Sequence, residues 1–174
     1  LESSVNHFLA FARPAPLKLE TTQLNDVVDN TLELLQPQCQ SHGVQLVRKL
    51  ARDLPPVELD PRQFVQAVEN LVLNAMQASG RGGTVTVATG YEDSAVVLSV
   101  SDDGPGIPED LQEKIFNVFF TTREGGTGLG LNIVSRIVEE HHFRLDLRSE
   151  VGKGTTFKII MPQQGAAKHS REEE

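Results

Sequence analysis

The sequence is short of several features, and each shortage narrows its function. It holds one cysteine, Cys39, so no disulfide can form within the chain, which fits a reducing compartment. No apolar run approaches the roughly 20 residues needed to span a bilayer, and no signal-peptide pattern is visible. Cationic side chains are outnumbered, with 16 Lys and Arg against 24 Asp and Glu and a net charge of −8. Nucleic acid is therefore a poor candidate for the main partner, because duplex binding is dominated by basic contacts to phosphate. Two familiar phosphate loops are also missing. In a G-x-G-x-x-G fingerprint starting at Gly126 the last glycine would fall on Leu131, and starting at Gly128 on Ile133. The Gly-Lys pair of a P-loop occurs once, at Gly152-Lys153, but the position five before it is Leu147 and Gly154 follows the lysine.

What is present suits a soluble globular domain. The chain has 174 residues, 39% hydrophobic and 23% charged, enough for one domain with a buried core and a short appendage. It begins at Leu1 and reads as a fragment of a longer parent. Val5, Phe8, Leu9 and Ala12 share one helical face, so residues 1–13 read as the tail of a helix, stopped by the Pro14–Pro16 linker (14–16). A globular unit follows over 17–162. The polar stretch 163–174 has no apolar periodicity and is expected to be disordered.

Within 17–162, Leu17–Thr21 alternates as a short strand. Leu24, Val27, Val28, Thr31, Leu35 and Cys39 form a helical stripe that Pro37 should kink or shorten. Val44–Leu50 alternates as a strand. Asp60-Pro61-Arg62-Gln63 announces a helix from Pro61 to about Ser79, with an N-cap acid, proline at the first position and Gln63 placed to complete a capping box. Gly83–Thr89 and Ala95–Ser101 form an antiparallel pair. Glu109–Phe116 reads as a short helix, the glycine loop 125–130 opens a helix ending near Glu140, and Phe143–Ser149 with Thr155–Met161 gives a second hairpin. The order is α+β.

Three stretches carry candidate chemistry. Asn70, Asn74 and Gln77, spaced i, i+4, i+7, share a face opposite the apolar one. They make either a solvated polar face or a row of amide oxygens for a hard cation such as Mg²⁺. Asp102-Asp103-Gly104-Pro105-Gly106-Ile107 follows a strand, and is either an acidic turn or a carboxylate that accepts from a ligand amine beside a flat ring. Gly125-Gly126-Thr127-Gly128-Leu129-Gly130-Leu131 opens a helix, and suits either a flexible lead-in or phosphate, since helix N-termini present unpaired N–H groups.

Taken in order, Asn70-x-x-x-Asn74, Asp102-x-Gly104-x-Gly106, Gly126-x-Gly128-x-Gly130 and Gly152-x-Gly154-Thr155 resemble the N, G1, G2 and G3 boxes of sensor histidine kinases. Ile115–Arg123 resembles their F box in the expected place. The likeness runs from Leu17 to Pro162, and the Phe-Ala-Arg-Pro and Asn-Ala-Met-Gln-Ala stretches look most like nitrogen-regulation and metal-response types. It implies a two-layer α/β sandwich of the GHKL (Bergerat) ATP-binding fold, a mixed sheet of about five strands backed by three helices. It makes Asp102 the acceptor for the adenine amino group, with Gly106 by the base and Thr155 completing the pocket. Asn74 would ligate Mg²⁺, with Asn70 one turn before it near the phosphates. Gly126, Gly128 and Gly130 would offer N–H groups to phosphate, and 105–127 would be a lid over ATP. The full nucleotide-contact set implied is Asp102, Gly104, Gly106, Ile107, Thr122, Gly126, Thr127, Gly128, Leu129, Gly130, Leu131 and Thr155, with Asn70, Asn74, Gln77 and Arg123 as the catalytic group.

Related ATPases such as gyrase B and mismatch-repair proteins resemble Glu-x-x-x-Asn where this chain has Asn70. An amide has no useful basicity, which fits phosphoryl transfer better than hydrolysis. Glu69 lies about 100° round an ideal helix from that row. Gln77 stands where many members have lysine, so Arg123, Lys114 or a residue of the missing dimerisation domain is left to supply charge. None of His7, His42, His141, His142 or His169 has the family's phosphoacceptor context, and His141-His142 reads as a helix-dipole partner. The expectation is thus the cytoplasmic catalytic domain of a protein-histidine kinase that uses ATP and Mg²⁺. It would phosphorylate a histidine on its own dimerisation domain for relay to a cognate response regulator. The parent would be a homodimer, open to anchoring in the inner membrane, while the fragment itself contacts neither membrane nor nucleic acid. The competing expectations are a GHKL-type ATPase and a degenerate nucleotide-binding interaction module.

Overall fold

The computed structural model describes residues 16–121 and 126–163. The expectations placed on 1–13, on Pro14, on Thr122 and Arg123 and on the tail beyond Gln163 lie outside the described residues.

In chain order the elements are β1 (Glu20–Thr22), α1 (Leu24–Ser41), β2 (Gln45–Lys49), β3 (Val57–Leu59), α2 (Pro61–Ser79), β4 (Thr84–Glu92), β5 (Ala95–Asp102), α3 (Glu109–Gln112) with a 3₁₀ turn at Lys114–Phe116, α4 (Gly130–Glu140), β6 (Arg144–Glu150) and β7 (Gly154–Pro162). The main sheet has the order β2-β4-β5-β7-β6. Its β2–β4 pair is parallel and the rest are antiparallel, so the sheet is mixed as expected. The three long helices α1, α2 and α4 supply the second layer, and the fold is the expected α+β sandwich.

Strand alternation decides what faces the helices. Val96, Leu98 and Val100 of β5, and Phe157, Ile159 and Met161 of β7, are all at most 2% exposed. They meet Phe64, Val68, Leu71 and Val72 of α2 and Val134 and Ile137 of α4 in one cluster. Each such side chain, taken fully out of water, stabilises the fold by about 1.5–3 kcal/mol. Continuing each row by two residues gives Asp102 and Thr155, which are buried and in register with each other.

Local signals were mostly right, with instructive departures. Asp60 caps α2 by accepting from the N–H groups of Arg62 (3.0 Å) and Gln63 (3.2 Å). The other half of the capping box does not form. The Asp60 N–H donates instead to His141 Nε2 at 2.9 Å, and Gln63 Oε1 is buried without a partner. Pro37 does not shorten α1, which runs four residues past it, because both Pro37 and Glu33, whose carbonyl loses its helical donor, face solvent. Strand β3 was not anticipated; it pairs antiparallel with β1 as a separate two-stranded ribbon. The β4–β5 turn consists of Asp93 and Ser94, both at positive φ (48° and 61°), the geometry a two-residue hairpin demands.

Candidate functional site

The site begins where the core rows end. Asp102 occupies a position that would suit a valine, 8% exposed, and its Oδ1 accepts from the Gly104 N–H at 2.9 Å. Two glycines let the chain close around it. A Cβ on Gly104 would lie 2.6 Å from the Ala78 carbonyl oxygen of α2, and one on Gly154 (φ +104°) would lie 2.0 Å from the Asp102 carbonyl oxygen. Asp103, by contrast, is exposed and structural, since its carboxylate accepts from the Thr84 N–H at 2.9 Å.

Thr155, 5% exposed, lies across from Asp102 on β7. Its hydroxyl meets Ser149 Oγ at 2.8 Å. Ser149 Oγ also lies 2.8 Å from the Ile107 N–H, which donates to it, and 3.1 Å from the Gly154 carbonyl. Gln112 Nε2 of α3 donates to the carbonyls of Ile107 (3.0 Å) and Ser149 (3.2 Å), and the Gly152 N–H donates to Pro105 O at 2.7 Å. Gly106 (φ +73°) passes so close to β6 that a Cβ would fall 2.2 Å from the Glu150 carbonyl oxygen. The first turn of the 105–121 segment is therefore sewn to the β6–β7 hairpin. Ser149 and Gln112 were not singled out in the sequence, because one serine or glutamine among many gives no signal until the hairpin register is known.

Helix α2 links this end to the glycine loop. Its Ala78 carbonyl touches the Gly104 position, and two turns earlier Asn70 Oδ1 lies 3.0 Å from where a Gly130 Cβ would be. Asn74 sits between them, about 6 Å along the axis from either end at 1.5 Å per residue. Asn70 Nδ2 donates to the Gln66 carbonyl at 2.8 Å, which fixes the amide and leaves its oxygen toward the first turn of α4. Gln77 is exposed. Gly130, Asn70, Asn74, Gly104 and Asp102 thus follow one another along α2, an order different from that in the sequence.

The loop itself is partly core and partly open. Gly126 and Thr127 are exposed, whereas Leu129 is 7% exposed and belongs to the core, and Leu131 packs against the core. Gly128 (φ +65°) lies against Phe119: its carbonyl accepts the Phe119 N–H at 3.0 Å, and a Cβ would come 2.5 Å from the Phe119 carbonyl carbon. Two phenylalanines of this segment behave differently. Phe116 stands edge-on to core Phe157 at 6.2 Å, and its carbonyl accepts from Asn132 Nδ2 at 3.0 Å. Phe119 is 65% exposed at positive φ (64°).

The histidine pair separates. His141 is buried: Nδ1 bonds to the Ile137 carbonyl at 2.7 Å and Nε2 accepts from Asp60 N. Both bonds require a neutral ring with its proton on Nδ1. The ring also stands edge-on to Phe64 at 5.8 Å. His141 is thus a tie between the end of α4 and the start of α2 rather than a charged dipole partner. His142 is exposed.

Flat and anionic groups fit this line. Buried Asp102 and Thr155 offer polar atoms in a cleft that Ser149, Gly154 and Thr156 also line, glycine positions leave no room for side chains, and the first turn of α4 offers unpaired N–H groups. Among the described residues no cluster of three or more His, Cys, Asp or Glu could hold a metal. A cation here would rest on amide oxygens of Asn70 and Asn74 and on ligand phosphates, the donor set a hard Mg²⁺ accepts.

The family model described as histidine kinase-, DNA gyrase B- and HSP90-like ATPase matches residues 59–165, the stretch from β3 past β7. The chain belongs to this family. Within it the chain is a histidine-kinase type catalytic domain. It is 38% identical over 163 residues to the sensor histidine kinase ZraS of Escherichia coli (strain K12), covering 93% of this chain and 35% of that protein. Full-length ShkA in complex with AMPPNP superposes with a TM-score of 0.82 at 29% identity, over 92% of this chain and 35% of that one. Histidine kinase ThkA in complex with response regulator protein TrrA superposes with a TM-score of 0.78 at 27% identity, over 92% and 46%. The chain spans between 19% and 37% of the length of the curated relatives it matches. No described helix is long and apolar enough to cross a membrane.

Proposed function

We propose that this domain binds Mg-ATP between Asp102 and the first turn of α4 and, within its parent, delivers the γ-phosphoryl group to a histidine. The observation that carries the reading is the continuity of the site: the amides along α2 bridge a buried carboxylate at the end of β5 and a glycine-led helix start. Asp102 would accept from the adenine amino group, with Gly106 leaving room for the ring. Gly126, Gly128 and Gly130 would turn N–H groups to the phosphates. Asn74, with Asn70, would hold Mg²⁺, which when bound neutralises phosphate charge. The protein's own contribution is positioning and preorganised dipoles. In the transfer a bond forms between the histidine nitrogen and phosphorus while the bond from phosphorus to the β–γ bridging oxygen breaks, and ADP leaves.

The row facing the phosphates carries Asn70, Asn74 and Gln77 and no carboxylate, so no side chain on it can take a proton from water. That favours transfer to a histidine over hydrolysis. Thr122 and Arg123 are proposed to approach the phosphates from the lid. The parent is proposed to act as a homodimer, presenting the histidine on its dimerisation domain and passing the phosphoryl group to a response regulator. The AMPPNP complex of ShkA and the TrrA complex of ThkA support nucleotide and regulator respectively. The test supplies the parent's dimerisation domain in trans with γ-labelled ATP. Acid-labile, base-stable label on that domain is the expected result, and release of inorganic phosphate with no labelled protein would refute it.

A further inference from the structure

We propose that Ser149 sets the direction of the Thr155 hydroxyl and thereby makes the base pocket selective for adenine over guanine. This rests on the reading of Asp102 and Thr155 as the base pocket and adds the residue that fixes its hydrogen-bond polarity.

Ser149 Oγ has three polar neighbours on three different segments. The Ile107 N–H at 2.8 Å can only donate, and the Gly154 carbonyl at 3.1 Å can only accept. Thr155 Oγ1 at 2.8 Å can do either. A serine hydroxyl has one hydrogen and two lone pairs. Its hydrogen satisfies the Gly154 carbonyl, one lone pair takes the Ile107 N–H, and the other takes the Thr155 hydrogen. That assignment satisfies all three contacts together. Thr155, its hydrogen committed to Ser149, then turns only lone pairs toward the pocket.

The consequence is that Asp102 and Thr155 present acceptors side by side. Asp102 carries a carboxylate, and Thr155 lies in register with it on the neighbouring strand. The amino group of adenine at C6, or a water hydrogen bridging to the base, matches two acceptors. Guanine places a carbonyl oxygen at the same position, against the Asp102 carboxylate and the Thr155 lone pairs. A freely turning Thr155 could donate to that oxygen, and Ser149 prevents the turn. Ser149 touches no ligand in this account, so it is a positioning residue. Nearby Gln112 reinforces the arrangement by holding the carbonyls of both Ile107 and Ser149.

The experiment is calorimetric titration of the 174-residue chain with Mg-ATP and Mg-GTP. In Ser149→Ala the ratio of ATP to GTP affinity falls about three- to tenfold, the worth of one hydrogen bond of the wrong polarity. Ser149→Thr, which keeps the hydroxyl, restores the ratio. In a Thr155→Val background Ser149→Ala leaves the ratio unmoved, because the group it directs is gone. Equal weakening of ATP and GTP by Ser149→Ala, or an undiminished effect in the Thr155→Val background, would overturn the proposal and leave Ser149 as a fold element only. Should Ser149→Ala fail to fold, Ser149→Cys carries the same expected fall, since a thiol accepts weakly. Asp102→Asn separates the two readings. If it abolishes ATP binding while Ser149→Ala keeps the ratio, only the role of Ser149 fails; wild-type ATP affinity in Asp102→Asn removes the base pocket itself.

Discussion

Asp102→Asn is the sharpest perturbation available, because it changes charge and donor pattern while keeping shape. The side chain is 8% exposed, and its Oδ1 accepts the Gly104 N–H at 2.9 Å. An asparagine oxygen can keep that bond, so the Gly104 turn and the β5 end should survive, and thermal melting should move by no more than a few degrees. What changes is the other atom, which becomes an amide donor. Facing the adenine amino group it sets donor against donor. A hydrogen bond to a charged group contributes about 1.5–3 kcal/mol, so nucleotide affinity should fall by roughly 13- to 160-fold at 1.36 kcal/mol per factor of ten. The loss should be the same for ATP and ADP, since both carry the base, and independent of Mg²⁺. Calorimetry with both nucleotides, with and without metal, reads this directly. Wild-type affinity in a folded Asp102→Asn protein would refute the placement of the base. A loss confined to the Mg²⁺ complexes would show that Asp102 acts at the phosphates instead.

Other consequences concern metal, backbone and pH. Asn74→Ala should weaken Mg-ATP binding and phosphoryl transfer while leaving metal-free ADP affinity unchanged within about twofold, because one neutral hydrogen bond or ligand contact is worth about 0.5–1.5 kcal/mol; equal loss of metal-free ADP would contradict it. Gly106→Ala should cost more stability than Gly80→Ala. Both sit at positive φ (73° and 67°), which costs an alanine about 1–2 kcal/mol. Only at Gly106 does the new Cβ also meet a backbone oxygen, at 2.2 Å, while at Gly80 nothing lies within 4 Å. Equal melting shifts would refute the close approach of the lid root to β6. For Asp60, burial pushes the carboxyl pKa up, but the Lys18, Gln63 and Arg62 N–H groups hold it below the ordinary value. A depressed carboxylate stabilises the fold above its unfolded pKa of about 3.9 and loses that contribution as pH falls through the folded value. Wild-type stability should therefore drop below about pH 4 more steeply than that of Asp60→Asn, followed by denaturant melts; parallel curves would contradict it.

Much of this arrangement was legible because its signals are local. The Asp60-Pro61 start of α2 and the glycines at 104, 106 and 128 each meet a need set by close backbone, and the Asp102–Ile107 motif marked the end of β5, while Thr155 came only from the family resemblance. What escaped is long-range. The local capping box at Gln63 lost to His141, which arrives from 81 residues away and shields Asp60 N together with Phe64. His141 and His142 look alike in sequence, yet the helix ends between a buried ring and an exposed residue at φ 56°. Strand β3 has three residues, too few for periodicity, and exists through its pairing with β1, whose alternation over Leu17–Thr21 was legible. Ser149 and Gln112 acquire roles only after the β6–β7 register and α3 bring them to Ile107.

The most direct measurement is amide chemical-shift mapping of the isotopically labelled chain titrated with Mg-AMPPNP. The account predicts shifts concentrated at Asp102–Ile107, Asn70–Asn74, Gly126–Leu131 and Thr155, and predicts that Asp102→Asn removes them at the same nucleotide concentration. Shifts concentrated instead on the helix-free face of the sheet, around Thr86, Ser99 and Thr156, or a pattern unchanged by Asp102→Asn, would contradict it.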